Sequence, residues 1–314
     1  MSTVSHKKKR LRTAATKSRR PVPITVEAAL ARAARRLTRA GVFFGHGTDN
    51  ARDEAAALLW YVLGLSHDVD PAVLSRSLTL RQRIALEALL ERRISTREPA
   101  VYITGQTWFA GLPMRTDARA LVPRSPLAEL IERGFAPWID PARVRRILDV
   151  GTGGGCIALA CAHYLPKARV EGVDISDAAL SLAAENRRLL GLTRRVQFFK
   201  SDHFSALKGR TYDIIVSNPP YVGRREMQSL PPEYGHEPRM ALASGDEGLD
   251  SVRVLLSKAA RYLEPGGILV VEVGNTETLV RRRYPRVPFV WLEFERGGGG
   301  VFCLTREQLQ RHVR

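Results

Sequence analysis

The fold is decided at Ile147-Leu-Asp-Val-Gly-Thr-Gly-Gly-Gly155, where a short apolar run ends in a glycine-rich loop. An apolar segment, Ile157–Tyr164, follows and predicts a helix. Glycines at such a junction let the backbone turn sharply and approach a ligand closely. The spacing differs from G-x-G-x-x-G, and no Lys-Ser or Lys-Thr pair follows. The loop therefore matches neither the dinucleotide fingerprint nor the P-loop.

Strand-type and helix-type segments alternate from Arg146 onward, which predicts a mostly parallel sheet covered on both faces. Near the C-terminus, Phe289–Phe294 and Val301–Leu304 flank four glycines and predict an antiparallel hairpin at the sheet edge. We therefore assign the α/β fold class. The predicted segments are Ile147–Val150, Ile157–Tyr164, Val170–Val173, Ala178–Leu190, Val196–Phe199, Tyr212–Val216, a helix at Asp246–Leu263 and a strand at Gly267–Val273.

A rigid turn, Asn218-Pro219-Pro220-Tyr221, directly follows the apolar run Tyr212–Ser217. Each proline ring locks its own φ and restricts the residue before it. Because proline has no N–H, the turn presents the side-chain oxygen of Asn218 and the carbonyl of Pro219 as acceptors. Such a wall suits a planar –NH2 group that offers two protons, whereas an isolated Asn-Pro turn would simply end a strand.

Polar groups also follow the second and third predicted strands. Asp174 comes directly after Val173, where a carboxylate can accept bonds from two ribose hydroxyls. The alternative role for Asp174 is a helix cap, although Ser176 can serve as that cap. Asp202 and His203 follow the third strand and are candidates to contact an adenine base, or else are surface polar residues. Ligands in such sheets bind at the carboxyl ends of the strands.

Composition narrows the class of protein. The chain has 314 residues, 44% of them hydrophobic, and a net charge of +17. Its longest apolar run, around residues 55–65, is too short to span a bilayer. We expect no membrane partner and no metal, because the histidines are scattered and the cysteines lack ligand spacing. Three cysteines are consistent with a reduced, cytoplasmic compartment.

Changes in sequence character predict four regions. Residues 1–23 form a basic disordered tail, 24–98 a helical domain, 99–125 a β-hairpin connector that begins at Val101–Thr104, and 126–314 the α/β domain. The tail is interpreted either as an arm attracted to RNA or as a leader that aids solubility. Its charge comes from Lys7, Lys8, Lys9, Arg10, Arg12, Lys17, Arg19 and Arg20, with no acidic residue between them.

The glycine loop, Asp174 and Asn218–Tyr221 resemble the motifs of class I S-adenosylmethionine-dependent methyltransferases, which have a Rossmann-like fold. The chain is further similar to the protein (glutamine-N5) methyltransferases, and most similar to the PrmB-type branch, over about residues 25–312. That family pairs a helical, substrate-recognition domain with the catalytic domain. The segments that carry this similarity are Phe44–Asn50, Leu121–Pro126, His236–Pro238, Trp291–Phe294, Gly300–Phe302 and Leu304–Leu309.

The resemblance implies S-adenosyl-L-methionine as cofactor and a glutamine of the third large-subunit ribosomal protein as methyl acceptor. It implies Asn218, Pro219 and Tyr221 as catalytic and, with Pro220, as substrate-binding residues. Release factors are the alternative substrate, although that branch has an aromatic residue at the His203 position and Asp-Thr at Ser125-Pro126. An adenine-N6 methyltransferase and a non-catalytic RNA-binding assembly factor are further alternatives. The implied cofactor-binding residues are Asp149, Gly151, Thr152, Gly153, Gly154, Gly155, Asp174, Asp202, His203 and Asn218.

Overall fold

The computed structural model describes residues 23–66 and 69–313, so the tail predicted at residues 1–23 lies outside the described residues except for Pro23. Three of the N-terminal helices begin at side-chain caps, at Thr25, Asn50 and Thr79. The Thr25 hydroxyl accepts a bond from the Ala28 N–H, and Thr79 and Gln82 form a reciprocal capping box. The elements are α1 (Val26–Arg39), α2 (Ala51–Leu63), a 3₁₀ turn (Pro71–Ser75), α3 (Leu80–Thr96) and α4 (Ala100–Thr104).

The segment Val101–Thr104, predicted as the first strand of the connector, is helical and forms most of α4. The prediction of a strand there is wrong because burial outweighs the β-propensity of Val, Tyr and Ile. Successive side chains of α4 are buried, and the Tyr102 hydroxyl donates to the Ala120 carbonyl at 2.6 Å. An antiparallel hairpin does follow, formed by β1 (Gln106–Phe109) and β2 (Leu112–Arg115).

A seven-stranded sheet forms the rest of the core and confirms the predicted fold class. Its order is β5-β4-β3-β6-β7-β9-β8, in which β3 to β7 pair in parallel and β7, β9 and β8 pair antiparallel. The strands are β3 (Arg146–Val150), β4 (Arg169–Asp174), β5 (Val196–Lys200), β6 (Tyr212–Ser217), β7 (Leu263–Glu272), β8 (Val290–Leu292) and β9 (Val301–Thr305).

Helices cover both faces of this sheet. Ile147 and Ile214 point into one hydrophobic cluster, while Leu148 and Ile215 point into the other, as strand alternation requires. The buried runs of β3 and β6 thus match strands packed on two sides. The helices are α5 (Leu127–Glu132), α6 (Cys156–Tyr164), α7 (Asp177–Leu189), α8 (Arg224–Met227), α9 (Arg239–Leu242), α10 (Asp250–Lys258), α11 (Glu277–Arg283) and α12 (Arg306–His312).

The helix predicted at Asp246–Leu263 begins later, at Asp250, and gives way to a 3₁₀ turn at Ala259–Arg261. Its predicted start is wrong because Gly245 and Gly248 have φ values of +69° and +79°, which interrupt a right-handed helix. At Gly248 a Cβ would lie 2.2 Å from the Tyr221 carbonyl oxygen. The turn before α10 is thus packed directly against the Asn-Pro-Pro-Tyr segment.

A buried ion cluster joins the N-terminal helices to a 3₁₀ turn of the α/β region, Pro232–His236. The Arg93 guanidinium, which is fully buried, donates to Glu54 at 2.7 Å and to Glu233 at 3.1 Å. It also donates to the Phe43 carbonyl at 2.7 Å, and the Phe43 N–H donates to Glu233 at 2.9 Å. Two carboxylates therefore share one buried cation, and each is held by further hydrogen bonds, as a buried charge requires.

Replacing Arg93 by Met should destabilise the protein by about 3–5 kcal/mol, because Glu54 and Glu233 would be left buried without their cation. The matched control is Arg92→Met, since Arg92 is the next residue but pairs with Glu98 at the surface. That change should cost about 1 kcal/mol or less. Urea unfolding of the two variants measures the difference in stability. Equal losses of unfolding free energy would mean that the buried ion cluster stabilises the protein no more than the surface ion pair does.

Candidate active site

The glycine-rich loop leaves β3 and turns into α6 through three glycines with positive φ: Gly151 (+74°), Gly153 (+54°) and Gly155 (+83°). The N–H groups of Gly151 and Thr152 donate to the Val173 carbonyl at 2.8 and 2.9 Å, which fastens the loop to β4. A Cβ on Gly155 would lie 2.9 Å from the Phe198 ring, so only glycine fits there. The loop is thus a close-packed backbone cradle.

Asp149, predicted to bind a cofactor, is buried beneath this loop. One of its carboxylate oxygens accepts from the Thr152 hydroxyl at 2.6 Å and from the Ala158 N–H at 3.1 Å. Burial raises the pKa of Asp149 to about 7, those bonds lower it in part, and the Asp174 charge raises it again. In this geometry Asp149 shapes the loop from below.

Asp174 lies at the end of β4, beside the loop. Its two oxygens accept from the Gly153 N–H at 2.8 Å and from the Ser176 N–H at 2.9 Å. The Ser176 hydroxyl accepts from the Ala179 N–H at 3.2 Å, so the side-chain cap of α7 is Ser176 and not Asp174, as the alternative interpretation would have it. A carboxylate accepts about four hydrogen bonds, so Asp174 retains capacity toward the cavity that it lines.

The end of β5 contributes a polar pair. The Asp202 carboxylate and the His203 Nδ1 atom are 2.7 Å apart, and both residues line the same cavity as Asp174. His203 has a φ of +49°, a left-handed conformation that histidine adopts more readily than most residues. This turn directs both side chains to the carboxyl edge of the sheet.

The proline turn closes the cavity from the β6 side. Asn218, Pro219 and Pro220 line the cavity, and the buried Asn218 Oδ1 has no hydrogen-bond partner among the described residues. A buried, unpaired amide oxygen costs about 1–3 kcal/mol unless a ligand satisfies it. Tyr221 lies behind the lining instead, with its ring against Gly274.

The cavity has a volume of about 290 Å³. It combines every predicted site residue except Asp149, Gly155 and Tyr221 with residues that sequence analysis missed. Two segments, 119–125 and 238–243, form its remaining walls and bring Arg124 and the exposed Met240 to it. Arg124 lies within the quoted segment Leu121–Pro126, and Pro238 ends the quoted segment His236–Pro238, so these two segments were the available signal in the sequence.

Glu237 was missed although it organises the 119–125 wall. Its carboxylate accepts two bonds from Arg124, both at 2.7 Å, and one from the Val122 N–H at 3.0 Å. The His46 Nε2 atom lies 3.4 Å away and comes from the loop before α2. Burial raises the pKa of Glu237, but the nearby His46 ring and the Arg124 hydrogen bonds outweigh burial and bring the pKa down to about 2.

Glu272, at the end of β7, is a second buried carboxyl that sequence analysis missed. The Ser125 hydroxyl donates to it at 2.5 Å. Burial raises the pKa of Glu272 to about 7, although the Ser125 bond, the Arg124 charge and the neighbouring Tyr221 hydroxyl lower it in part. Glu272 itself does not line the cavity, but its partner Ser125 does.

Within residues 23–66 and 69–313, no group of three metal-binding side chains comes together, and no helix is long and apolar enough to cross a membrane. Cys156, Cys161 and Cys303 are free thiols.

A seven-stranded, mostly parallel sheet that ends in antiparallel strands, with a glycine cradle after β3 and an acidic residue at the end of β4, is typical of the class I methyltransferases, whose methyl donor is S-adenosylmethionine. Two family models agree with that class: the methyltransferase small domain matches residues 134–231, and the PrmC N-terminal domain matches residues 28–105.

Relatives that are similar to this chain over nearly their whole lengths narrow the class to one family. The ribosomal protein uL3 glutamine methyltransferase of Xanthomonas campestris pv. campestris is 48% identical over 88% of this chain and 90% of its own length. The proteins of the same name from Xylella fastidiosa and Neisseria gonorrhoeae are 48% and 44% identical, over 89% and 91% of this chain and 89% and 95% of their own lengths. This chain belongs to the ribosomal protein uL3 glutamine methyltransferase family.

The raised pKa of Glu272 predicts a pH-dependent loss of stability. Below its ordinary pKa of 4.5 the carboxyl is protonated in both states; as the pH rises toward 7 the unfolded chain ionises first, so the folded state loses stability. Glu272→Gln removes this titration. When the pH rises from 5 to 8, the free energy of unfolding of the wild type should therefore fall by on the order of 2 kcal/mol more than that of the variant.

Urea unfolding at the two pH values measures this difference, and the raised pKa of Asp149 cancels because both proteins contain it. The matched control is Glu237→Gln, whose low pKa places its titration below pH 5. The free energy of unfolding of Glu237→Gln should therefore be lower than that of the wild type by the same amount at both pH values. Parallel losses for wild type and Glu272→Gln would contradict the assignment of a raised pKa to Glu272.

Proposed function

We propose that this chain transfers a methyl group from S-adenosylmethionine to the side-chain amide nitrogen of a glutamine in ribosomal protein uL3, the third large-subunit protein. The observation that carries the proposal is the buried Oδ1 atom of Asn218: the residue lines the cavity, and this oxygen has no hydrogen-bond partner among the described residues. An amide –NH2 supplies the donor that this oxygen lacks. Relatives named for this reaction, similar over nearly their whole lengths, support the choice of substrate.

The residues around the cavity fit the proposed cofactor. The left-handed glycines present backbone at close range, and Asp174 has acceptor capacity left for ribose hydroxyls. S-adenosylmethionine supplies an electrophilic methyl group on a positively charged sulfur. The proposed cofactor-binding residues are Asp149, which acts through the loop, then Gly151, Thr152, Gly153, Gly154, Gly155, Asp174, Asp202, His203 and Asn218.

The proline turn is proposed to aim the acceptor nitrogen. Asn218 Oδ1 and the Pro219 carbonyl would accept the two amide N–H bonds, with Pro220 and the Tyr221 ring as apolar support. A carbon–nitrogen bond forms as the carbon–sulfur bond breaks, and the nitrogen then releases one proton to water. The amide nitrogen is a weak nucleophile, so catalysis rests on positioning, which can supply about 7–11 kcal/mol of a barrier.

Two substitutions should separate cofactor binding from catalysis. Asp174→Ala should weaken S-adenosylmethionine binding by about tenfold or more, because charge-assisted bonds of about 1.5–3 kcal/mol are lost. Asn218→Ala should instead reduce turnover by on the order of 100-fold with a smaller change in affinity. Calorimetry and steady-state kinetics measure the two effects. Unchanged affinity in the folded Asp174 variant, or near-normal turnover in the Asn218 variant, would remove that residue from its role.

The substrate is tested by transfer of a labelled methyl group from S-adenosylmethionine to purified uL3. Label should enter one glutamine, and replacement of that glutamine by Asn should abolish transfer. One methylene less withdraws the nitrogen by more than the roughly 1 Å misplacement that already costs about 100-fold. Release factors and adenine-containing nucleic acid serve as comparison substrates. Preferential labelling of either one would replace uL3 as the substrate.

We further propose that the basic residues 7–20 steer the enzyme to uL3 on an RNA-bearing assembly intermediate. Deleting residues 1–20 should then slow methylation of the particle at low salt and have little effect at high salt, because salt screens the attraction. Free uL3 is the matched control and should be methylated at the same rate with and without the tail. If the full-length and the truncated enzyme methylate the particle at equal rates at both salt concentrations, the tail does not steer the enzyme, and its role would be to aid solubility.

A further inference from the structure

The cavity wall formed by residues 119–125 lies outside every helix and strand, so hydrogen bonding within the sheet does not hold it. This wall stands directly beside the glycine-rich loop. A Cβ on Gly154 would lie 3.7 Å from the Ala120 Cβ atom, and one on Gly153 would lie 3.9 Å from it. The position of the wall therefore sets how much room is left for a ligand beside the loop.

Side chains from distant parts of the chain hold this wall by direct hydrogen bonds. The Tyr102 hydroxyl, on α4, donates to the Ala120 carbonyl at 2.6 Å. Further along the wall, the Glu237 carboxylate accepts from the Val122 N–H at 3.0 Å and from both terminal nitrogens of Arg124 at 2.7 Å. One carboxylate thus accepts three hydrogen bonds from the wall, two of them from a cation, which are the stronger kind.

Glu237 also belongs to the other wall of the cavity. It directly precedes Pro238, the first residue of the 238–243 wall, and its side chain is fully buried. The residue before it, His236, has its Nε2 atom 2.8 Å from the Thr96 carbonyl oxygen at the end of α3. The Glu237 carboxylate therefore joins the two walls to each other at a point that is itself held by the N-terminal helices.

We infer that Glu237 is a positioning residue for cofactor binding: its buried carboxylate fixes the two walls that enclose S-adenosylmethionine together with the glycine loop. This inference rests on the proposed function. Glu237 does not line the cavity, so it acts through Val122 and Arg124, which do. If the walls kept this arrangement only about one tenth of the time, the apparent affinity for the cofactor would fall about tenfold. The amide contacts proposed for Asn218 would be unaffected once the cofactor is bound.

The test is calorimetry of S-adenosylmethionine binding, without uL3, to the folded variants Glu237→Ala and Glu237→Gln. The Kd should rise about tenfold or more in Glu237→Ala, because nothing then joins the walls. Glu237→Gln should retain part of the affinity, since its amide oxygen still accepts from the Val122 N–H. In both variants, kcat on uL3 at saturating cofactor should change far less than the affinity does.

Glu233→Gln is the matched control, because Glu233 lies in the turn just before Glu237 and its side chain is only 1% exposed. Its carboxylate bonds Arg93 and the Phe43 N–H and makes no bond to either cavity wall. Glu233→Gln should therefore lower the stability toward urea and leave the Kd for S-adenosylmethionine unchanged. An equal loss of affinity in Glu233→Gln and Glu237→Gln would mean that general destabilisation is the cause, and would overturn the inference.

A double-mutant cycle with Arg124→Lys tests the link even if Glu237→Ala does not fold. Lysine keeps the positive charge but cannot donate the pair of parallel bonds that Arg124 gives to Glu237. The affinity losses of Glu237→Gln and Arg124→Lys should therefore add up to more than the loss in the double variant. Additive losses, or wild-type affinity in the folded Glu237 variants, would overturn the inference. A wild-type protein that binds no S-adenosylmethionine would overturn the proposed function instead.

Discussion

Parallel pairing of β3 with β6 is the constraint on which the site depends. Val150 and Ser217 are paired residues at the carboxyl ends of these strands, and the Ser217 hydroxyl donates to the Val150 carbonyl. The glycine loop after β3 and the proline turn after β6 therefore leave the sheet side by side. Because β4 lies on the other side of β3, the strand order reverses here and a crevice opens. Cofactor and acceptor can thus meet at one edge.

Much of this arrangement could be predicted from the sequence. Apolar runs followed by Gly151 and by Asn218 locate β3 and β6, and their parallel direction puts their carboxyl ends at one edge. Local propensity failed where tertiary packing decides the conformation. Val101–Thr104 is helical because its side chains are buried, and the start of α10 is delayed because Gly248 packs on the Tyr221 carbonyl.

The buried charges could not be predicted, because their partners are far apart in the chain. Ser125 and Glu272 are 147 residues apart, and Arg93 and Glu233 are 140 apart. A single sequence does not show which carboxylates are buried or which cation they meet. These contacts join the 119–125 segment to strand β7, and the N-terminal helices to the 3₁₀ turn Pro232–His236. The role of that helical region in substrate recognition, and the boundaries at residues 98 and 125, stay predictions.

Tandem mass spectrometry of uL3 from cells with and without this enzyme tests the central claim most directly. The account predicts that one glutamine of uL3 carries a single methyl group in the first cells and none in the second. Cells in which the enzyme has Asn218→Ala should resemble those without it. If uL3 is unmethylated in every case, while a release-factor glutamine or a nucleic-acid adenine depends on the enzyme, the assigned substrate is wrong.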